Sequence, residues 1–389
     1  MKEAGEMAME FRPFRVRKKQ IECDNIVSLF LQPTDSKPLW PAAPGQYLTL
    51  KVPTNDGPVN RTYSLSSDCD DQHIYRITVK REPAPVDSPS ARAGIGSTWI
   101  HDHVKVGDDL QVAPPRGSFV LDQTSDRPVI LLAGGVGLTP LLSMLHALAK
   151  TNRNVWFFHA CKNGSEHALR EEVEKLSRAS KGRIRSHFTY SSPTKMDQET
   201  MGFYSAGRIN QDTLQRELPL DCYDAYICGP TPFMVAMYNL LVDLGVSPPN
   251  IAYEFFGKAH SLEELATAAR QPIARPTNVA RLGATLAAKN PNNSRQLESS
   301  ALQGEEPLVT FAKSGKSIRW NDANSSLLEA AENAGLTPEF SCREGICNTC
   351  SCALLSGEVE YFEEPLDAQK PDKVLICCSR PTGDVVLDI

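Results

Sequence analysis

The sequence predicts a multidomain chain: an antiparallel β-barrel, then an α/β domain with a parallel sheet, then a small α+β module. Three observations carry this expectation. From about residue 10 to 123 the chain reads as short alternating or apolar runs cut by turn residues, the rhythm of an antiparallel barrel or sandwich. After Arg127 strand-like runs alternate with helix-like ones, which predicts a parallel sheet flanked by helices. Beyond position 340 six of the eleven cysteines crowd together, four of them in SCREGICNTCSC.

The barrel runs are NIVSLFLQP, QYLTLKVP, RTYSLSS, HIYRITVKRE and DLQVAPPRG. In the second region PVILLAGG, NVWFFHAC, RIRSHFTY, DAYICG and NIAYEFF are expected as strands. TPLLSMLHALAKT, SEHALREEVEKLSRA, NQDTLQRE and TPFMVAMYNLLVDLG are expected as the helices between them. Residues 259–306 are rich in Ala, Asn, Ser and Pro with few aromatics, the composition of a flexible linker, although SLEELATAAR can form a helical turn or two. Then LVTFAKSG and KSIRW predict a hairpin, SSLLEAAENAG a helix, and CALLSGEVEYF and KVLICCSRPTGDVVLDI the remaining strands. The expected boundaries are 10–124, 125–258, 259–306 and 307–389.

A net charge of -6 with 23% charged residues gives no reason to expect nucleic acid or an anionic membrane as partner. The N-terminal stretch carries Glu3, Glu6 and Glu10 where a secretory signal needs an apolar run. The most apolar stretch is broken by Gly134, Gly135, Gly137 and Pro140, so a membrane span is not expected either. A cytoplasmic protein is expected, and in a reducing compartment clustered cysteines suggest a metal centre rather than disulfides.

The spacing Cys342-x4-Cys347-x2-Cys350 with a distant fourth cysteine is the arrangement that holds a 2Fe-2S cluster. A tight loop offers three thiolates, and Gly345 lets it curl so that its amides can face the cluster sulfurs. Zinc is the alternative, but zinc ribbons favour two paired C-x2-C knuckles and this chain has one. The last eighty or so residues resemble a plant-type ferredoxin of the β-grasp fold. That resemblance aligns Cys377, rather than the adjacent Cys378, with the fourth ligand, and leaves Cys352 as a small buried residue on the outgoing strand.

RTYSLSS, residues 61–67, resembles the R-x-Y-S motif of the ferredoxin-NADP reductase superfamily. Its chemistry suits a flavin: Arg61 can neutralise a diphosphate, Tyr63 can lie along the ring system, and Ser64 can hydrogen-bond near the atom where hydride arrives. The order GQYLTL, RTYSL, YRITVKRE, GSTWIHDHVKVGDDLQVAPPRGSF is similar to the barrel of that superfamily, most of all to the reductase half of flavohaemoglobins. By position the resemblance implies that Tyr47 and Lys80 border the flavin. Thr62, Thr78, Val79 and Gly96 complete its wall, and Ser97 and Thr98 bind its phosphates through hydroxyl and backbone amide.

LLAGGVGLTP, residues 131–140, reads as a strand, a glycine turn and a helix starting at Thr139, an anion-binding arrangement suited to a dinucleotide pyrophosphate. Gly135, Val136, Gly137, Thr139 and Pro140 are its expected contacts. In the superfamily the loop corresponding to YICGPTPFM brings its cysteine, here Cys228, beside the nicotinamide, with Gly229 and Pro230 letting the ring approach. IAYEFFG resembles the terminal strand, implying Glu254 near Ser64 and Cys228 and Phe256 against the flavin.

The resemblance therefore implies an NAD(P)H-dependent oxidoreductase: hydride passes from nicotinamide to flavin at Ser64, Cys228 and Glu254, and single electrons pass on through a 2Fe-2S cluster. FAD is expected, with FMN the alternative suggested by reductases of the phthalate dioxygenase type, which share the module order. NADH is expected over NADPH because the chain offers only Lys162 and Lys195 where a 2'-phosphate wants basic pairs. No globin-like run precedes the barrel in this sequence, so nitric-oxide dioxygenation is not expected of it. The implied acceptor is a terminal oxygenase, Rieske-type or cytochrome P450. A reductase of another redox protein, such as the hybrid-cluster type, and a non-enzymatic cluster-based redox sensor are the alternatives.

Overall fold

The computed structural model describes residues 11–54, 57–83, 94–200, 203–256, 262–270, 306–321, 324–338, 340, 345, 348, 350–362, 365, 369–370 and 372–389. Its first unit comprises β1 (Arg12–Cys23), β2 (Ile26–Pro33), β3 (Tyr47–Val52), β4 (Val59–Ser64), β5 (Tyr75–Lys80), α1 (Ile95–Asp102) and β6 (Asp109–Arg116). The strands run in the order β4-β3-β6-β1-β2-β5 and every pair is antiparallel. A bridge between Leu65 and Ile77 brings the two ends of the sheet together. Alternation drives this closure: Phe14, Val16, Leu29, Leu31, Leu48, Leu50 and Ile77 all turn inward and are wholly buried.

The second unit comprises β7 (Val129–Gly134), α2 (Leu138–Ala149), β8 (Val155–Cys161), α3 (Arg170–Ala179), β9 (Ile184–Tyr190), α4 (Lys195–Thr200), β10 (Ser205–Ala206), α5 (Gln211–Glu217), β11 (Asp224–Cys228), α6 (Thr231–Asp243) and β12 (Ile251–Glu254). All its strands are parallel, in the order β10-β9-β8-β7-β11-β12. The chain starts at β7, moves outward to β10, then returns to lay β11 on the other side of β7. That reversal opens a crevice at the carboxyl ends of β7 and β11, where such sheets bind ligands. The short α4 and β10 have no counterpart among the expected elements. The main helix of this region, α3, begins at Arg170 rather than at Ser165 because Leu169 adopts a left-handed backbone (φ 57).

Helix α7 (Leu262–Arg270) lies inside the stretch expected as a linker, yet it docks on α6. Leu262 and Ala266 are buried, and Arg270 reaches Asp243 at 2.7 Å. Residues 271–305 lie outside the described residues. The third unit comprises β13 (Leu308–Phe311), β14 (Lys316–Arg319), α8 (Leu327–Asn333), β15 (Ser351–Ser356), β16 (Val359–Tyr361), β17 (Lys373–Leu375), β18 (Ser379–Pro381) and β19 (Val385–Leu387). Its main sheet runs β14-β13-β19-β15-β17, with β13 and β19 parallel, and β16 pairs with β18. The Ser326 side chain caps α8 by accepting from the Glu329 amide, and Leu327 and Leu328 are fully buried in the core. Among the described residues no helix is long and apolar enough to cross a membrane.

The barrel and the parallel-sheet unit are joined by polar contacts. Arg76 of β5, itself buried, grips Glu172 of α3 through two bonds of 2.6 and 2.8 Å, and His146 of α2 approaches the same carboxylate at 2.6 Å. Burial alone would raise the Glu172 carboxyl, but the bonds from His146 and Arg76 outweigh it and bring it down to about 2. Because the folded value lies below the ordinary 4.5, this clamp contributes stability above that pH and loses it as pH falls toward 2. Glu172→Ala leaves a guanidinium buried without its partner, so denaturant unfolding of the flavin and nicotinamide units is expected to weaken by on the order of 3 kcal/mol at pH 7. An unchanged unfolding midpoint would refute the clamp.

Candidate active site

A cleft of about 470 Å³ opens where the barrel meets the parallel sheet, a size suited to a cofactor. Tyr47 of β3, Arg61, Thr62, Tyr63 and Ser64 of β4, and Thr78, Val79 and Lys80 of β5 line it. So do Gly96 and Ser97 of α1, Val136 and Thr139 beside the glycine turn, and Glu254 and Phe256 at the end of β12. Strand pairing places this set at the end of the sheet: Tyr47 pairs with Ser64 across β3 and β4, and the β5 residues enter from the far edge. Most residues expected at the flavin thus converge on one wall. Glu82, Ile95, Ser118, Phe119, Tyr253 and Phe255 also line the cleft and were not anticipated. Glu82, Ser118, Phe119, Tyr253 and Phe255 fall within segments that resemble the superfamily, but no role is assigned to them there.

The cleft has unmet polar capacity. The Tyr47 hydroxyl and the Thr98 hydroxyl are buried with no hydrogen-bond partner. Tyr47 lines the cleft, so a polar group of a bound ligand can satisfy its hydroxyl, an orphaned buried hydroxyl being costly, whereas Thr98 is not among the lining residues. The phosphate roles expected of Ser97 and Thr98 change in detail. The Ser97 hydroxyl is already committed, accepting from the Glu82 amide at 3.1 Å and donating to the Gly94 carbonyl at 3.2 Å. The Thr98 amide is bonded to the Gly94 carbonyl at 2.9 Å. The amides of Gly96 and Ser97, in the first turn of α1, have no earlier turn to bond and present an anion-binding end to the cleft. A side chain at Gly96 would collide with the Tyr63 hydroxyl, so glycine is what lets this turn reach the β4 motif.

Ser64 and Glu254, 190 residues apart, meet with the Ser64 hydroxyl 3.5 Å from a Glu254 carboxylate oxygen. Burial pushes the Glu254 carboxyl up to about 8, the bond from Ser64 opposing it, so this acid is neutral at pH 7. Cys228 pairs with Glu254 across β11 and β12. Its side chain is wholly buried rather than lining the cleft, and burial followed by the neighbouring Glu254 raises its thiol well above the ordinary value. It therefore sits behind the cleft as an uncharged thiol, not on its face.

Gly135 and Val136 of the glycine turn line a second cleft of about 370 Å³, together with Lys80, Lys162, Glu166, Arg208, Pro230 and Phe233. A 3-10 turn over Gly135–Gly137 precedes α2, which starts at Leu138, so Thr139 and Pro140 lie within its first turn, buried. Gly137 makes the two dinucleotide motifs meet: any Cβ there would run into the Cys228 carbonyl. Gly229 likewise passes directly beside Gly134. Gly137→Val is expected to raise KM for the nicotinamide donor on the order of tenfold or more and to lower the unfolding midpoint, because backbone rather than a flexible side chain must yield. Steady-state kinetics with a melting curve check this, and wild-type values in both would count against it. Arg208, near the end of β10, was passed over because that strand was not foreseen.

In the third unit Cys350 and Cys377 are buried in its core, whereas Cys342 and Cys347 lie outside the described residues. The Cys378 sulfur lies 3.6 Å from the Leu375 carbonyl, a donor position that suits a protonated thiol. Cys352 is half-buried rather than buried. Gly345 takes a left-handed backbone (φ 66) and a Cβ there would meet the Cys378 sulfur at 2.9 Å, so Gly345 packs directly against Cys378.

Comparison with known proteins matches this layout unit by unit. Residues 13–121 match the oxidoreductase FAD-binding domain family, 131–239 the oxidoreductase NAD-binding domain family, and 309–382 the 2Fe-2S iron-sulfur cluster binding domain family. The solved FAD/NAD-binding domain of a nitric oxide dioxygenase from Vibrio cholerae is 34% identical, with a TM-score of 0.55, over 64% of this chain and 100% of that one. The chain belongs to the ferredoxin-NADP reductase superfamily. It carries FAD-binding, NAD-binding and 2Fe-2S domains in that order and is an NAD(P)H oxidoreductase.

Flavohaemoproteins from Bacillus anthracis and Pseudomonas putida are 42% and 39% identical over 258 and 253 residues. The chain spans 63% and 60% of their lengths, and the aligned part makes up 65% of this chain. Phthalate dioxygenase reductase has the same fold over 97% of this superfamily member and 98% of that chain, at 24% identity and a TM-score of 0.54.

Proposed function

We propose that this reductase draws electrons from NADH through FAD and a 2Fe-2S cluster and delivers them to a separate terminal oxygenase, Rieske-type or cytochrome P450. The observation that carries the reading is the convergence of Ser64, Glu254 and the first turn of α1 on one cleft, beside the glycine turn of the parallel sheet. The residues fit the groups: an anion-binding helix end with Arg61 for a flavin diphosphate, the unpartnered Tyr47 hydroxyl, and four cysteines at the spacing of a 2Fe-2S site. When bound, the nicotinamide gives electrons in pairs, the flavin accepts pairs and releases them singly, and the cluster carries one at a time.

The chain's own residues do the rest. Arg61 and the first-turn amides hold the diphosphate, and Tyr47 and Tyr63 fix the ring system against the barrel wall. Ser64 hydrogen-bonds toward the reacting edge while Glu254 holds a proton beside it. The buried neutral Cys228 and the Gly137 contact exclude water behind the nicotinamide and keep its ring close. Cys342, Cys347, Cys350 and Cys377 hold the cluster.

The oxygenase reading is supported by the likeness in fold to phthalate dioxygenase reductase, a protein described as a modular structure for electron transfer from pyridine nucleotides to a 2Fe-2S centre. NADH-driven reduction of cytochrome c, a one-electron acceptor, is expected to vanish in Cys347→Ser while ferricyanide reduction persists. Loss of neither would remove the cluster from the path. NADH is expected to exceed NADPH in kcat/KM, and the reverse order would reassign Lys162 and Arg208 to a 2'-phosphate.

A further inference from the structure

Beside the second cleft three buried side chains face one another without a role in the reaction above. His159 and Cys161 are two residues apart on β8, so they project from the same face of the sheet, and His167 follows after a short turn. One ring nitrogen of each histidine and the Cys161 sulfur all lie within 4.8 Å of one another. We propose that His159, Cys161 and His167 form a site for a single zinc-class transition metal ion, separate from the iron-sulfur centre.

The hydrogen bonds of the two histidines are those of a ligand pair, and the Cys161 thiol, 3.5 Å from the Asn163 carbonyl, exchanges that contact for the metal. His159 Nε2 lies 3.0 Å from the Gly135 carbonyl, which can only accept, so Nε2 carries the proton and Nδ1 keeps its lone pair. His167 Nδ1 is tied to the Tyr190 hydroxyl at 2.7 Å, while His167 Nε2 is buried with no partner. Each ring is thus oriented through one nitrogen and offers the other, the arrangement that metal-bound histidines use. His167 is only 7% exposed, so its unpartnered nitrogen has no access to bulk water and is costly to leave bare. Burial keeps both imidazoles neutral, as coordination requires.

Two nitrogens and one thiolate suit a borderline-soft ion with a fourth position left for water or another ligand. In a tetrahedral shell the donors stand about 3.5 Å apart, so the three atoms need to close by about an ångström, which rotation of the side chains supplies. Cys161 lines the second cleft, giving the ion an entry path. On binding, the thiol gives up its proton to solvent and the metal takes its place, with no change of oxidation state.

The full-length protein, purified with flavin and cluster in place, is dialysed against Zn2+ held at micromolar free concentration by a chelator. Zinc and iron per chain are then measured together, and zinc-edge X-ray absorption reports the shell. The expected result is one zinc per wild-type chain in a shell of mixed nitrogen and sulfur, with affinity at least about a hundredfold weaker in Cys161→Ala and in His167→Gln. Cys161→Ala adds no bulk to its strand, and its flavin spectrum and melting temperature certify the fold if the histidine variant misfolds. Equal zinc uptake by wild type and Cys161→Ala would overturn the proposal, as would an all-sulfur shell, which would locate the ion on cluster cysteines. No uptake by the wild type would overturn it equally.

Discussion

Cys377→Ser is expected to leave a protein that still reduces ferricyanide from NADH but reduces cytochrome c at least about a hundredfold more slowly. Its neighbour Cys378→Ser is expected to keep the cluster. Sequence places the two thiols side by side, and the backbone separates them. Cys378 is fully buried beneath Gly345, with its sulfur directed at the Leu375 carbonyl. Gly345 packs against the Cys378 sulfur so closely that a Cβ there would meet it at 2.9 Å. Cys377 shares the buried core with Cys350, as Cys378 does, and it is the member of the pair that the ferredoxin resemblance aligns with the fourth ligand. Iron and acid-labile sulfide per chain, with the visible spectrum of each variant, separate the two. A cluster that survives in Cys377→Ser and disappears in Cys378→Ser would reverse the assignment.

Glu254 should make both stability and rate depend on pH in a way that Glu254→Gln does not. Its folded value of about 8 stands above the ordinary 4.5 because burial penalises the charge. Between those values the folded protein holds a proton that the unfolded chain has released, so stability falls as pH rises from about 5 through about 8. The full penalty is on the order of 5 kcal/mol, and a neutral glutamine escapes it. Catalysis follows the same sign. A neutral carboxyl beside Ser64 tolerates the negative charge that arrives with an electron pair, while a carboxylate 3.5 Å from that hydroxyl opposes it. Wild-type bleaching of the flavin by NADH is therefore expected to slow about tenfold between pH 7 and pH 9.5, and Glu254→Gln to stay level. Stopped-flow traces and denaturant curves across that range test both, and parallel pH profiles in the two proteins would remove Glu254 from this role.

Much of this protein was readable in order along the chain. The alternating runs of the barrel and the strand-helix rhythm after Arg127 are periodic signals that survive without tertiary context. The cysteine spacing and RTYSLSS are local for a chemical reason: a cluster loop and a β-strand each fix several ligand groups within one stretch of backbone. Short elements were less legible. The two-residue β10 has no periodicity to detect, and Arg208 beyond it went unnoticed with it. Helix α7 sat in a stretch whose composition reads as linker, and its burial comes from α6.

The amino-acid order by itself determined the sequence of modules and the residue types for a flavin, a dinucleotide and an iron-sulfur cluster, because those signals are local in the chain. Only the tertiary structure decided that Glu254 is a neutral acid, that Cys228 lies behind the cleft rather than on it, and that Ser97 has no hydroxyl to spare. It also brought His167 beside His159 and Cys161. Each of these depends on desolvation and on hydrogen-bond partners drawn from distant strands, and neither exists until the chain has closed on itself.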